Sequence, residues 1–130
     1  MLLGLKTDGP VAEFYLCDKQ GHLVAQSKWE AGRTLANQLL STLEQFLGQN
    51  NVKIEEISGL FAYKGPGSFT GLRIGLTVTN TLAYARNLPV TSGEGKNWRQ
   101  DAVESLLSGK NEQIILPEYG ALPRITQAKK

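Results

Sequence analysis

The chain has 130 residues, 41% of them hydrophobic and 20% charged, with a net charge of +2. That length holds one ordinary domain burying roughly two-thirds of its unfolded surface, and it disfavours two independent lobes. The weak charge does not make a nucleic-acid-binding face, and no apolar run approaches the roughly 18 residues of a membrane span.

Residues 2–8 read as an apolar strand that starts at the N-terminus, without the basic start and small-residue cleavage site of a signal peptide. A second strand spans 11–18, where Val11, Phe14, Tyr15 and Leu16 are strand-formers. Asp18-Lys19-Gln20-Gly21 supplies a turn, and His22 to Trp29 alternates as a third strand, so the start reads as an antiparallel meander. Leu35, Leu39 and Leu43 with Ala36, Leu40, Phe46 and Leu47 then recur at three and four, predicting a helix from about Thr34 to Leu47. Thr34 is the expected cap, with Gly48 just past the end. Ile57 to Tyr63 is a buried-strand candidate. A glycine loop follows, then a long helix from Ser68 or Phe69 to Arg86, closed by Asn87 and Pro89. Thr91 to Asn97 reads as a polar linker and Trp98 to Leu107 as a short helix. Ile114-Ile115-Leu116 is a brief apolar run ahead of an extended tail.

Few residues offer catalytic chemistry. Cys17 is the only cysteine and His22 the only histidine. An intrachain disulfide and the common zinc constellations are therefore excluded. Cys17 lies beside an apolar stretch and reads as a quiet thiol. His22 sits in a turn and reads as a surface residue, with no nucleophile motif beside it. Glu55 and Glu56 are neighbours whose side chains diverge, which fits a solvated pair. Basic residues gather at Lys96 with Arg99, and at Arg124 with Lys129 and Lys130. A solvated surface and direct phosphate contact both fit them.

The informative stretch is Gly65-Pro66-Gly67-Ser68-Phe69-Thr70-Gly71-Leu72-Arg73-Ile74-Gly75. Gly65 and Gly67 permit a sharp turn after the strand. Ser68 or Thr70 can cap the helix, leaving an end that serves either as a structural corner or as a generic anion site. No Gly-Lys-Ser/Thr follows, so this is not a nucleotide P-loop, and the Gly-x-Gly-x-x-Gly spacing is broken. Gly71, Gly75, Thr79 and Ala83 form a row of small residues four apart. Glycine costs roughly 1 kcal/mol in a helix relative to alanine, so two here imply a close approach, by a partner helix or by the chain's own sheet.

This string closely resembles the signature of the TsaB (YeaZ) family, and the order of elements over residues 1–92 is similar too. Leu116-Pro117-Glu118-Tyr119 and Pro123-Arg124-Ile125-Thr126 are similar to that family's C-terminal tail. The resemblance implies an α/β fold: a single actin/Hsp70/sugar-kinase-like (ribonuclease-H-like) lobe with a mixed sheet, an antiparallel three-strand meander, then helix-strand-helix. It also implies a bacterial cytoplasmic, non-catalytic subunit. Such a subunit binds a TsaD-like catalytic partner and acts with a TsaE-like ATPase. Their product is threonylcarbamoyladenosine at position 37 of tRNA, so contact with tRNA is indirect. The implied interface uses the first two helices, through Leu39, Leu43, Phe69, Gly71, Ile74, Gly75, Val78, Thr79 and Leu82. The signature loop is Gly65, Pro66, Gly67, Ser68, Phe69, Thr70, Gly71, Leu72 and Arg73.

The chain departs from that family in three places, one of them after the third strand, where the family's Arg-x-His-Ser-Glu pattern is reduced to Arg33-Thr34-Leu35-Ala36. Family members are longer and two-lobed, so residues 1–92 are expected as the lobe and 93–130 as a reduced linker, short helix and tail. Where the family has Ile-Asp-Thr-Ser, this chain has Leu5-Lys6-Thr7-Asp8, and a lysine there argues against Mg·ATP chemistry, so no cofactor and no metal are expected. The rival readings are a weak nucleotide or anion binder and a homodimer built on the same helices.

Overall fold

The structure, a computed structural model, describes residues 1–118. The tail residues Tyr119, Pro123, Arg124, Ile125, Thr126, Lys129 and Lys130 lie outside them. Strands β1 (Leu2–Lys6), β2 (Val11–Cys17) and β3 (Leu23–Glu30) form the expected meander, followed by helix α1 (Leu35–Gln49). Strand β4 (Gly59–Gly65), helix α2 (Phe69–Arg86), strand β5 (Val90–Glu94) and helix α3 (Trp98–Leu107) complete the order. The sheet runs β3-β2-β1-β4-β5. The β1–β2 and β2–β3 pairs are antiparallel, while β1–β4 and β4–β5 are parallel, with Leu5 opposite Phe14 and Leu2 opposite Gly59.

The period of two along each strand divides the core into two faces. Leu3, Leu5, Phe14, Leu16, Leu60 and Ala62 meet α1 and α2 through Leu35, Leu39, Leu43, Phe46, Leu76 and Ala83. Leu2, Tyr15, Phe61 and Tyr63 face the other way, onto Trp98, Ala102, Val103 and Leu106 of α3. The turn after β2 is fixed by Asp18, whose Oδ1 accepts the backbone N–H of Gln20 and of His22, each at 2.9 Å. These hydrogen bonds, the one from His22 foremost, hold the Asp18 carboxyl below its usual range.

Three sequence expectations are corrected. Val90–Glu94 is a strand, not a linker, and α3 packs on it. The lobe therefore continues past residue 92. The cause is that two small residues make the strand fit beneath a helix. Thr91 is fully buried and donates its hydroxyl to the Ala102 carbonyl at 2.6 Å. At Gly93 an added Cβ would lie 2.1 Å from the Trp98 carbonyl oxygen. Second, Thr34 makes no side-chain cap on α1, because its hydroxyl donates instead to the Ala31 carbonyl at 2.6 Å inside a 3-10 turn, Gly32–Thr34. Third, Gly48 is inside α1. The helix ends at Gln49 with Asn50 as its C-cap, and the chain then turns at Asn51, which has φ +57°.

Cys17 and His22 sit as read from the sequence. Cys17 is buried, and burial pushes its thiol above the usual range, with Arg99 opposing. His22 is exposed, with its imidazole 3.4 Å from the Asp18 carboxylate. Glu55 and Glu56 are both exposed, and Glu56 accepts the Lys53 backbone N–H at 2.8 Å.

Candidate functional site

The signature loop joins β4 to α2 and leans on the turn after β1. Gly65 has φ +130°, a conformation that favours glycine, and the Gly65–Pro66 peptide is cis. Tyr63 donates its phenol to the Pro66 carbonyl at 2.6 Å. The Ser68 backbone N–H donates to the Asp8 carbonyl at 2.8 Å. Of the two caps the sequence offered, Ser68 is the one used, its hydroxyl oxygen accepting the Gly71 N–H at 3.5 Å, and Thr70 lies within the helix.

Beside the loop, Lys6 stands at the end of β1. Its ammonium lies 2.5 Å from Asp8 Oδ1, 4.0 Å from Glu13 Oε2 and 4.6 Å from the centre of the Tyr63 ring. Glu13 also accepts the Tyr15 hydroxyl. Burial, then this hydrogen bond, holds the Tyr15 phenol well above its usual range, and burial with Asp8 raises Tyr63. The corner thus carries a cation already matched to carboxylates.

The glycine row faces inward. Thr7 donates its hydroxyl to the Gly71 carbonyl at 2.8 Å. A Cβ at Gly71 would meet the Thr7 carbonyl oxygen at 2.2 Å, and one at Gly75 would meet Thr7 Oγ1 at 2.0 Å. Thr79 and Ala83 continue the buried row. Of the two partners the sequence allowed for this row, the chain's own β1 end fills it.

The outer surface of the same two helices is different. A cavity of about 360 Å³ lies between them, lined by Ala36, Thr70, Arg73, Ile74, Thr77 and Val78. A neighbouring one of about 370 Å³ shares Ala36, Thr70 and Ile74 and reaches Gly9, Pro10 and Arg33. Leu40 is 56% exposed and Phe69 54% exposed, with the Arg73 guanidinium 5.3 Å from the Phe69 ring centre. Of the residues read as an interface, Ile74, Val78 and Leu82 are half-buried and Phe69 is exposed, while Leu39, Leu43, Gly71, Gly75 and Thr79 are buried. In the signature loop Pro66, Gly67, Ser68, Thr70 and Arg73 are exposed, and Gly65 and Leu72 are buried. Ala36 and Leu40, read from the sequence as part of the apolar face of α1, lie on its exposed side, and Thr77 is the lining residue that sequence reasoning did not single out.

A mixed five-stranded sheet with two helices on one face and one on the other is the actin-like lobe of the sugar-kinase and Hsp70 proteins. The family model described as TsaD: tRNA N6-adenosine threonylcarbamoyltransferase matches residues 29–122. The chain belongs to this family, on its TsaB (YeaZ) side. It is 33% identical over 88 residues to the tRNA threonylcarbamoyladenosine biosynthesis protein TsaB of Buchnera aphidicola subsp. Baizongia pistaciae, covering 68% of this chain and 39% of that one. To the TsaB of Bacillus subtilis it is 27% identical, covering 68% and 33%. YeaZ from Pseudomonas aeruginosa superposes with a TM-score of 0.61 at 29% identity, covering 68% of this chain and 41% of that one. A tRNA N6-adenosine threonylcarbamoyltransferase from Nitrosomonas eutropha is 37% identical over 60 residues, 46% of this chain and 18% of that one. The chain thus spans well under half the length of these relatives. No helix among the described residues is long and apolar enough to cross a membrane.

Proposed function

We propose that this chain is a non-catalytic docking subunit in tRNA threonylcarbamoyladenosine biosynthesis. It binds a TsaD-like catalytic partner through the outer surface of α1 and α2, and meets a TsaE-like ATPase and the tRNA only through that complex, in the cytoplasm. The observation that carries this reading is the open groove between the two helices, walled by Ala36, Ile74 and Val78 with Leu40 exposed nearby. Ile74 and Val78 pack on the core with one side and line the groove with the other, and apolar lining of this kind on a helix pair suits a docking surface. The names of its relatives support a TsaD-like protein as that partner.

The cation beside the signature loop, Lys6, is already engaged by Asp8 and Glu13, which supports a binding role over nucleotide chemistry at this corner.

The test is co-purification of this chain with the TsaD-like protein of its own source, comparing wild type with Ile74→Glu and Leu40→Glu. Leu40 is exposed and Ile74 half-buried against the core, so circular dichroism first establishes that each variant is folded. A stoichiometric wild-type complex that both variants lose supports the reading. Two folded proteins that do not associate overturn it. A homodimer that persists whatever partner is offered assigns the same surface to a second copy of the chain.

A further inference from the structure

The segment after α3 crosses the outer edge of the sheet. In β5 the backbone groups of Val90 and Ser92 point away from β4, as alternate residues of a strand must. Three of these four groups are taken up by the segment. The Val90 N–H donates to Asn111 Oδ1 at 3.1 Å, and the Val90 carbonyl accepts the Glu112 N–H at 2.8 Å. The Ser92 N–H donates to Glu112 Oε2 at 2.7 Å, and its hydroxyl reaches the same carboxylate at 2.8 Å. Two residues therefore supply what a neighbouring strand would supply, one of them with a carboxylate in the place of a carbonyl.

The segment is held for this task at both ends. Asn111 Oδ1 also accepts the Gln113 N–H at 2.9 Å, and Gln113 takes φ +69°. That turn sends Ile115 into the core, where it is 1% exposed. The Asn80 side chain then grips both backbone groups of Ile115, accepting its N–H at 2.9 Å and donating to its carbonyl at 3.0 Å. Further on, the Glu118 N–H donates to the Lys64 carbonyl at 2.7 Å.

β5 itself has no lysine or proline, and its single charge is Glu94 at its end, so the segment at Asn111 and Glu112 supplies the cover of this edge. We propose that Asn111 and Glu112 are an edge guard, and that removing them lets β5 pair with the β5 of a second copy of this chain. The same edge on each copy is self-complementary about a two-fold axis, which is why a second copy is the occupant.

The test is the double variant Asn111→Ala/Glu112→Ala in the full chain, carrying Ile74→Glu so that the α1–α2 surface does not contribute. Mass is followed by light scattering across concentration, and amide hydrogen exchange is read at Val90 and Ser92. The guard predicts that at low concentration these two amides exchange roughly tenfold or more faster than in the parent. It predicts a dimer at high concentration, in which they become slow again. Glu112→Gln keeps an oxygen for the Ser92 N–H and should behave as the parent. A folded double variant that keeps the parent mass at every concentration, or the parent exchange rates, overturns the proposal. If the double variant does not fold, Glu112→Ala alone decides by the same readings at Ser92.

Discussion

Thr7 and Gly75 interlock where the end of β1 meets α2. The Thr7 side chain occupies the space a Cβ at position 75 would need, with Oγ1, Cβ and Cγ2 all within 3.0 Å of it. An alanine at 75 gains roughly 1 kcal/mol of helix propensity. It must also push a β-branched side chain whose hydroxyl is committed to Gly71, and overpacking of this kind costs about 1–3 kcal/mol. Gly75→Ala is therefore expected to lower the urea midpoint, and Thr7→Ala in the same chain to restore part of the loss. An unchanged midpoint in the single variant would refute the interlock. Larger wedges at Gly71 or Gly75 test folding, so docking is better probed at Ile74 and Leu40.

Trp98 anchors α3 to the sheet. Its ring lies 5.6 to 5.9 Å from those of Tyr15, Phe61 and Tyr63, and it is 6% exposed. Trp98→Ala should cost about 3–5 kcal/mol, and Trp98→Phe markedly less, because it retains an aromatic ring in the site. Denaturant unfolding followed by far-UV circular dichroism gives both values. Equal losses would mean that the indole, rather than ring packing, holds the helix.

The meander, α1, β4 and α2 were legible in the sequence because each carries its own local signal: alternation, an apolar stripe, or a glycine loop before a long helix. β5 was not. Its burial rests on contacts far along the chain, from Thr91 to Ala102 and from Val90 to Asn111. No window of five residues shows that. The inward row at Gly71 and Gly75 was visible as a row, but its partner, Thr7, comes from 64 residues away in sequence. Thr34 failed as a cap because a 3-10 turn ahead of α1 took its hydroxyl, a competition that residue type alone does not reveal. The interface residues expected from the sequence fall on both faces of α1 and α2, with Leu39, Leu43, Gly71, Gly75 and Thr79 buried and Phe69 exposed, because the apolar and small-residue pattern does not separate core from surface.

Cys17 is 1% exposed yet borders a cavity of about 360 Å³ shared with Gly21, Arg99 and Val103. Burial disfavours its thiolate more than Arg99 favours it. With thiolate and access both limited, the native protein should react with a disulfide reagent at pH 8 roughly a hundredfold more slowly than the unfolded chain. A rate near that of a free thiol would show that the cavity opens to reagent.

Asp18 is half-buried, and its folded pKa is depressed by backbone N–H donors. Its contribution is present above the unfolded value near pH 3.9 and is lost as pH falls through the folded value. Asp18→Asn keeps an oxygen for the Gln20 and His22 amides, so it should abolish that acid dependence while preserving the turn. Carboxyl chemical shifts followed from pH 2 to 6 read this directly, and an Asp18 midpoint at or above the ordinary value would refute it.

The opposite limb of the pH profile belongs to Tyr15. Burial and the hydrogen bond to Glu13 raise its folded pKa, so its contribution is complete below the unfolded value of about 10 and is lost as pH rises through the folded one. Above pH of about 10 the unfolded chain releases this proton and the folded chain does not. Melting temperature should therefore fall with pH there. Tyr15→Phe should flatten that fall while lowering stability at pH 7, because Glu13 loses the hydroxyl that it accepts beside Lys6. A variant with the wild-type alkaline slope would move the effect to Tyr63, whose phenol is raised by burial and by Asp8.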